Sequence, residues 1–170
     1  ICTGEFRHFK PEPGNPNSLG ITTVFCLYED TRGILWIGTP IGFSSYNSKK
    51  NRFKNYFGDP DSPESTVPGI TWSILEDKKG FIWFGDVFRG LYRFNRENEQ
   101  FKVYRHKPDD PHSISSNIIR CIYQDSQGIL WIAAENGLNK FDYRTETFTR
   151  YLTDIGLQII KEDKEGSIWL

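Results

Sequence analysis

Short apolar runs alternate with small polar clusters along the whole chain, and no stretch sustains a 3.6-residue apolar period. In the first full unit, residues 23–29, 34–38, 42–47 and 53–57 read as four strands. The bend between the first two is Asp30-x-x-Gly33. There the aspartate can accept backbone N–H groups and the glycine supplies the positive φ of a tight turn. Asn47 opens the next hairpin in the same manner.

The unit repeats. Asp30, Asp77, Asp125 and Asp163 are each followed by glycine three residues on (Gly33, Gly80, Gly128, Gly166) and by tryptophan three further (Trp36, Trp83, Trp131, Trp169). The steps are 47, 48 and 38 residues. A second glycine follows in three copies (Gly42, Gly90, Gly137), then Tyr46-Asn47, Phe94-Asn95 and Phe141-Asp142, then Phe53, Phe101 and Phe148, then Tyr56, Tyr104 and Tyr151. At the start of the chain, Phe6, Phe9 and Ser18 match Phe53, Tyr56 and Ser65 one period earlier. The predicted division is residues 1–20 as the end of one unit, full units at 21–69, 70–117 and 118–156, and the start of another at 157–170.

Four antiparallel strands in about 47 residues is the size of a β-propeller blade. A blade is apolar on both faces, so its neighbours must cover it. The tryptophans of the repeat, with Leu27, Ile74, Ile122 and Ile160, are the predicted core between blades. The fold class expected is therefore all-β, about three and a half blades. Seven blades of this size need roughly 330 residues, so the chain reads as an incomplete piece of a larger, seven-bladed propeller. The absence of methionine, with Ile1 first, agrees with a processed or excised piece.

Composition narrows the function. A net charge of −1 offers no footprint for nucleic acid or an acidic membrane surface. No run of 18 apolar residues suggests a membrane span. An aromatic share of 15% favours strands and large buried faces. Three cysteines at wide spacing (Cys2, Cys26, Cys121) are no disulfide framework; Cys26 and Cys121 hold the same repeat position and read as small apolar fillers.

The repeat resembles the two-component regulator propeller family. Its unit of Glu-Asp, two residues, glycine, an apolar pair around tryptophan, and a later Gly-Leu is matched by Glu29-Asp30 to Thr39 with Gly42-Phe43. It is matched again by Glu76-Asp77 to Gly85 with Gly90-Leu91, and by Asp125 to Ile132 with Gly137-Leu138. Asp86 and Ala134 depart from the family's threonine, and Ala133 from its glycine. The resemblance implies the periplasmic sensor region of a hybrid sensor histidine kinase, a membrane-anchored parent, and an oligosaccharide ligand released from polysaccharide. No cofactor and no catalysis are expected in this region, since no Ser/His/Asp or Cys/His set and no phosphate loop stands out.

Candidate binding residues lie off the repeat frame. Trp72 stands where other copies have Phe25, Arg120 and Gln158, a position that accepts large polar groups and so is expected to reach a channel or open face. An indole beside Arg120 suits a sugar ring carrying an acidic group; local packing is the alternative. The loop after the second strand varies most and offers Asp86, Arg89, Glu135 and Asn136 as hydrogen-bonding groups, with solvated loop charges as the alternative. The four repeat aspartates are turn caps, not an EF-hand order of ligands. His8, His106 and His112 share no ligand spacing. Three functions compete: a ligand-sensing module, a protein-interaction or homodimerisation platform, and a propeller lyase, which would need a convergent acid/base pair.

Overall fold

A computed structural model describes residues 4, 6–59, 61–62 and 65–170; Cys2 lies outside them. The described residues are all β, with fourteen strands and no helix. The first sheet is β1 (Cys26–Glu29), β2 (Ile34–Thr39), β3 (Gly42–Asn47) and β4 (Arg52–Phe57). The second is β5 (Thr71–Glu76), β6 (Ile82–Asp86), β7 (Leu91–Asn95) and β8 (Gln100–Tyr104). The third is β9 (Ile119–Gln124), β10 (Leu130–Ala134), β11 (Gly137–Asp142) and β12 (Thr147–Tyr151). A two-stranded sheet, β13 (Lys161–Glu162) with β14 (Ile168–Trp169), follows. Within each sheet the strands lie antiparallel in chain order, the meander of a propeller blade.

The blades are built alike because the same residues recur at the same register. Gly33, Gly80, Gly128 and Gly166 all have φ between 74° and 85°, as the turn ahead of the second strand requires. Trp36 faces Ser45, which faces Lys54; Trp83, Arg93 and Lys102 repeat that row in the second blade. Trp131, Lys140 and Thr149 repeat it in the third.

Successive blades approach most closely at their first strands, β5 lying against β1 and β2, and β9 against β5 and β6. That approach leaves no room at Gly38 or Gly85: a Cβ on Gly38 would stand 2.6 Å from the Thr71 carbonyl, and one on Gly85 would stand 2.7 Å from Ile119 Cγ2.

Apolar burial between blades holds the stack. Trp36, Phe43, Ile74, Phe84, Tyr92 and Phe94 form the core between the first two blades. Trp83, Leu91, Ile119, Ile122, Leu130, Phe141 and Phe148 belong to the core between the second and third. Each such side chain contributes about 1.5–3 kcal/mol. The Lys54–Glu99 pair crosses the first of these joints at the exposed rim, where an ion pair is worth about 0–1 kcal/mol. Packing therefore outweighs the rim charges.

Two predicted core residues are exceptions. Leu27 is 61% and Trp169 65% exposed. In inner blades the residue three before the aspartate faces the preceding sheet and the tryptophan faces the following one, as the shared cluster of Trp36 and Ile74 shows. Leu27 and Trp169 occupy those positions on the two outermost faces, where no sheet lies against them. The opening segment also differs from a strand: residues 6–10 form none, and Phe6 is fully exposed. Phe9 nevertheless packs against the Tyr46 and Phe53 rings at 4.9 and 5.2 Å, as Tyr104 does edge-on against Phe141 and Phe148.

Candidate functional site

Each repeat aspartate uses both oxygens. Asp77 Oδ1 accepts the backbone N–H groups of Lys79 and Phe81 at 2.9 and 3.0 Å, and Oδ2 accepts the indole N–H of Trp83 at 2.7 Å. The indole bond recurs at Asp30–Trp36, Asp125–Trp131 and Asp163–Trp169, at 2.6–2.8 Å. Turn capping was legible from the spacing; the indole bond was not. At Asp30, burial alone would raise the pKa. Donation from Trp36, Ile34, Arg96 and Arg32 outweighs it and holds the carboxyl below its ordinary range.

The residue before the second, third and fourth repeat aspartates joins the blades. Glu76 accepts the Thr31 N–H and hydroxyl of the preceding blade at 2.7 and 3.0 Å. Gln124 accepts the Lys78 N–H at 2.7 Å, and Glu162 the Ser126 N–H and hydroxyl at 2.8 and 2.6 Å. Arg96 clamps the first joint, reaching both Asp30 and Glu76. These acids are committed to the scaffold.

Open polar and aromatic groups gather at the other end of the first strands. Thr71 pairs with Asp86 and Ile119 with Ala134, so each first strand begins beside the loop that follows the second strand. The register shifts between Thr71 and Ser73, and again where Ile119 and Cys121 face Ala134 and Ala133. Trp72 and Arg120 are the extra residues of these two β-bulges. A bulge re-aims a side chain out of the ladder. Trp72 is 44% exposed and lies 5.1 Å from the Phe25 ring. Ser73 Oγ accepts the Ile122 N–H at 3.1 Å, which sets the Trp72 and Arg120 segments side by side. Arg120 is half-buried, and among the described residues its side chain has no hydrogen bond or ion pair; its Nε is fully shielded.

The loop residues divide. Asp86 is buried, and its carboxylate accepts N–H groups from Gly69, Ile70, Phe88 and Arg89 at 2.6–3.1 Å. It fixes the loop instead of presenting oxygens to solvent. Arg89 turns to the Asp59 carbonyl at 2.7 Å, tying the loop to the link between blades. Glu135 and Asn136 are exposed, on a loop held to the start of β9 by the Glu135 N–H and Ile118 carbonyl at 3.1 Å. The structure thus brings Trp72, Arg120, Glu135 and Asn136 to one end of the stack, with Phe25 as an aromatic neighbour.

Cys26 and Cys121 are half-buried free thiols at equivalent places, and burial pushes Cys26 up to about 12. Among the described residues, no cluster of three or more His, Cys, Asp or Glu side chains could hold a metal.

The family model described as "Two component regulator propeller" matches residues 18–40 and 113–136, both of which span a first strand, the inner strand where blades approach most closely, the Asp-Gly turn and the repeat tryptophan. Two segments of the chain thus match two-component regulator propeller repeats. Solved structures agree with these repeats. The extracellular domain of a protein described as a hybrid two component system from B. thetaiotaomicron superposes with a TM-score of 0.81 at 27% identity, over 98% of this chain and 22% of that one. The extracellular domain of a one component system from the same organism gives 0.68 at 20% identity, over 90% and 21%. Virginiamycin B lyase from Staphylococcus aureus gives 0.66 at 18% identity, over 94% and 50%. The last two are likenesses of fold. The propeller repeats here span about a fifth of the two B. thetaiotaomicron domains. No curated protein sequence matches the chain. No helix among the described residues is long and apolar enough to cross a membrane.

Proposed function

We propose that these repeats belong to the periplasmic, ligand-sensing propeller of a hybrid two-component sensor kinase, and that the ligand is an oligosaccharide held at the inner-strand end of the blades. The likeness to the extracellular domain of a hybrid two component system, over 98% of this chain, is the observation that carries the sensor reading. The bulges support the ligand class. The exposed Phe25 and Trp72 rings, 5.1 Å apart and tilted at 41°, offer apolar faces for a pyranose, and the terminal nitrogens of Arg120 are left for a carboxylate or hydroxyl. Glu135 and Asn136 supply acceptors and donors at the adjacent rim.

A scaffold role fits the acids of the repeat better than catalysis, because Asp30, Asp77, Glu76 and Asp86 are saturated by bonds to the fold. The lyase likeness is one of fold, and fold does not carry chemistry with it.

Calorimetric titration of the protein with a panel of neutral and uronic-acid-bearing oligosaccharides tests the reading. A saturable binder recovered unaltered is expected. Trp72→Ala weakens it about tenfold or more, as loss of a central aromatic anchor does. A panel without any binder, or turnover of a bound sugar, overturns the proposal.

A further inference from the structure

The joint between the first two blades holds a cleft of about 760 Å³ on the outer side of the stack, within the roughly 300–1,000 Å³ of ligand pockets. Its walls include Trp36, Ser45, Tyr56, Phe94 and Glu99. The corresponding place in the next joint is filled from within. Arg93 occupies the register of Ser45, between Trp83 and Lys102. Its guanidinium lies 4.7 Å from the Phe81 ring centre, 5.8 Å from that of Trp83 and 5.9 Å from that of Tyr104. It also pairs with Glu146 of the following blade at 2.8 Å.

Two of the three receiving rings and the carboxylate persist in the first joint although the arginine does not, and the nearest ring, Phe81, has Ile34 in its place. Trp36 stands for Trp83, Tyr56 for Tyr104 and Glu99 for Glu146; Glu99 and Glu146 share a positive φ of 55° and 56° at the same hairpin position. Lys54 pairs with Glu99 and lies over Tyr56, as Lys102 does with Glu146 and Tyr104. Around this row the two joints therefore differ by two exchanges, serine for arginine at Ser45 and isoleucine for phenylalanine at Ile34. Arg52 and Arg96, the cleft's other guanidinium groups, are engaged with Asn17 and with Asp30 and Glu76.

We propose that this cleft is a binding site for a guanidinium group presented by a ligand, such as an arginine side chain, stacked over Trp36 and Tyr56 and paired with Glu99. The occupied joint is its template: aromatic faces attract a planar cation, and a carboxylate at the rim orients it. The site is separate from the inner-strand end and does not depend on the sugar reading.

Titration with methylguanidinium chloride tests it, with methylammonium chloride at equal ionic strength as the control, read by tryptophan fluorescence and by calorimetry. Saturable one-site binding of methylguanidinium is expected, with methylammonium weaker. Glu99→Gln lowers the affinity about threefold, the size of a rim ion pair. Ser45→Arg abolishes binding and raises the melting temperature, because the new side chain takes the site. Should Ser45→Arg fail to fold, Arg93→Ser supplies the converse test: it opens a second methylguanidinium site and changes the stoichiometry from one to two. No saturable binding, equal response to both cations, binding that survives in folded Ser45→Arg, or unchanged stoichiometry in Arg93→Ser would each overturn the proposal.

Discussion

Trp83 donates its indole N–H to Asp77 Oδ2 across 2.7 Å, inside a joint where both residues are buried. The same oxygen accepts the Tyr143 hydroxyl of the next blade at 2.9 Å. One carboxylate thus caps its own turn, fixes its own tryptophan and reaches its neighbour. Trp83→Phe removes a bond to a charged acceptor and leaves unfilled volume, and should cost about 2–4 kcal/mol. Trp169→Phe removes the same bond at an exposed face and should cost less than about 1 kcal/mol. Urea unfolding of the two variants checks the contrast.

Glu76 is the corresponding acceptor between blades. It is buried and receives Thr31 and Arg96. Glu76→Ala strands a shielded Arg96 with only Asp30 as its counter-charge and should cost about 3–5 kcal/mol. Glu76→Gln should cost less than half of that, since Gln124 performs the backbone-accepting role one blade on. Chemical denaturation of both variants measures the difference.

Stability should fall in acid through Asp30. Its pKa is depressed in the folded state, so its contribution is complete above the ordinary aspartate value of about 3.9 and is lost as pH falls through the folded value. The urea midpoint should drop as pH is lowered from 5 toward 3 and below. Asp30→Asn should be less stable at pH 7 and show a shallower drop across that window.

Gly85→Ala places a Cβ 2.7 Å from Ile119, a fully buried side chain with little room to move. An overpacking cost of about 1–3 kcal/mol is expected. Ala133 holds the same register in the third blade, and Ala133→Gly should change stability by about 1 kcal/mol or less. Thermal unfolding of the pair tests whether the close approach of first strands, not strand propensity, selects glycine.

Much of this arrangement was legible because the repeat is written in residues with local jobs. Asp30 to Gly33 declares a turn, and the recurrence of Trp36 at Trp83 and Trp131 declares a face. The Asp–Trp bond was hidden by a reading that spent the whole carboxylate on the turn, although one oxygen suffices there. The acceptors between blades carry a sequence signal of their own: Glu76, Gln124 and Glu162 each directly precede the repeat aspartate, as Glu29 does on the open first face. Trp72 stands off the repeat frame in the sequence, but its bulge depends on strand register, which sequence spacing alone does not reveal. Asp86 looked available for a ligand because its four N–H partners are backbone groups, invisible to a reading of side chains. Leu27 and Trp169 follow the repeat in sequence but not in burial, since burial is conferred by the neighbouring sheet.

The stacking of blades is tested most directly by hydrogen exchange at the five indole N–H groups, followed by NMR. Slowest exchange is expected at Trp83 and Trp36, bonded to aspartate and covered by the next sheet. Trp169 should exchange faster on its open face, and Trp72, half-exposed with no such bond, fastest. Rapid exchange at Trp83, or protection of Trp72 equal to that of Trp36, would contradict the stacked-blade arrangement.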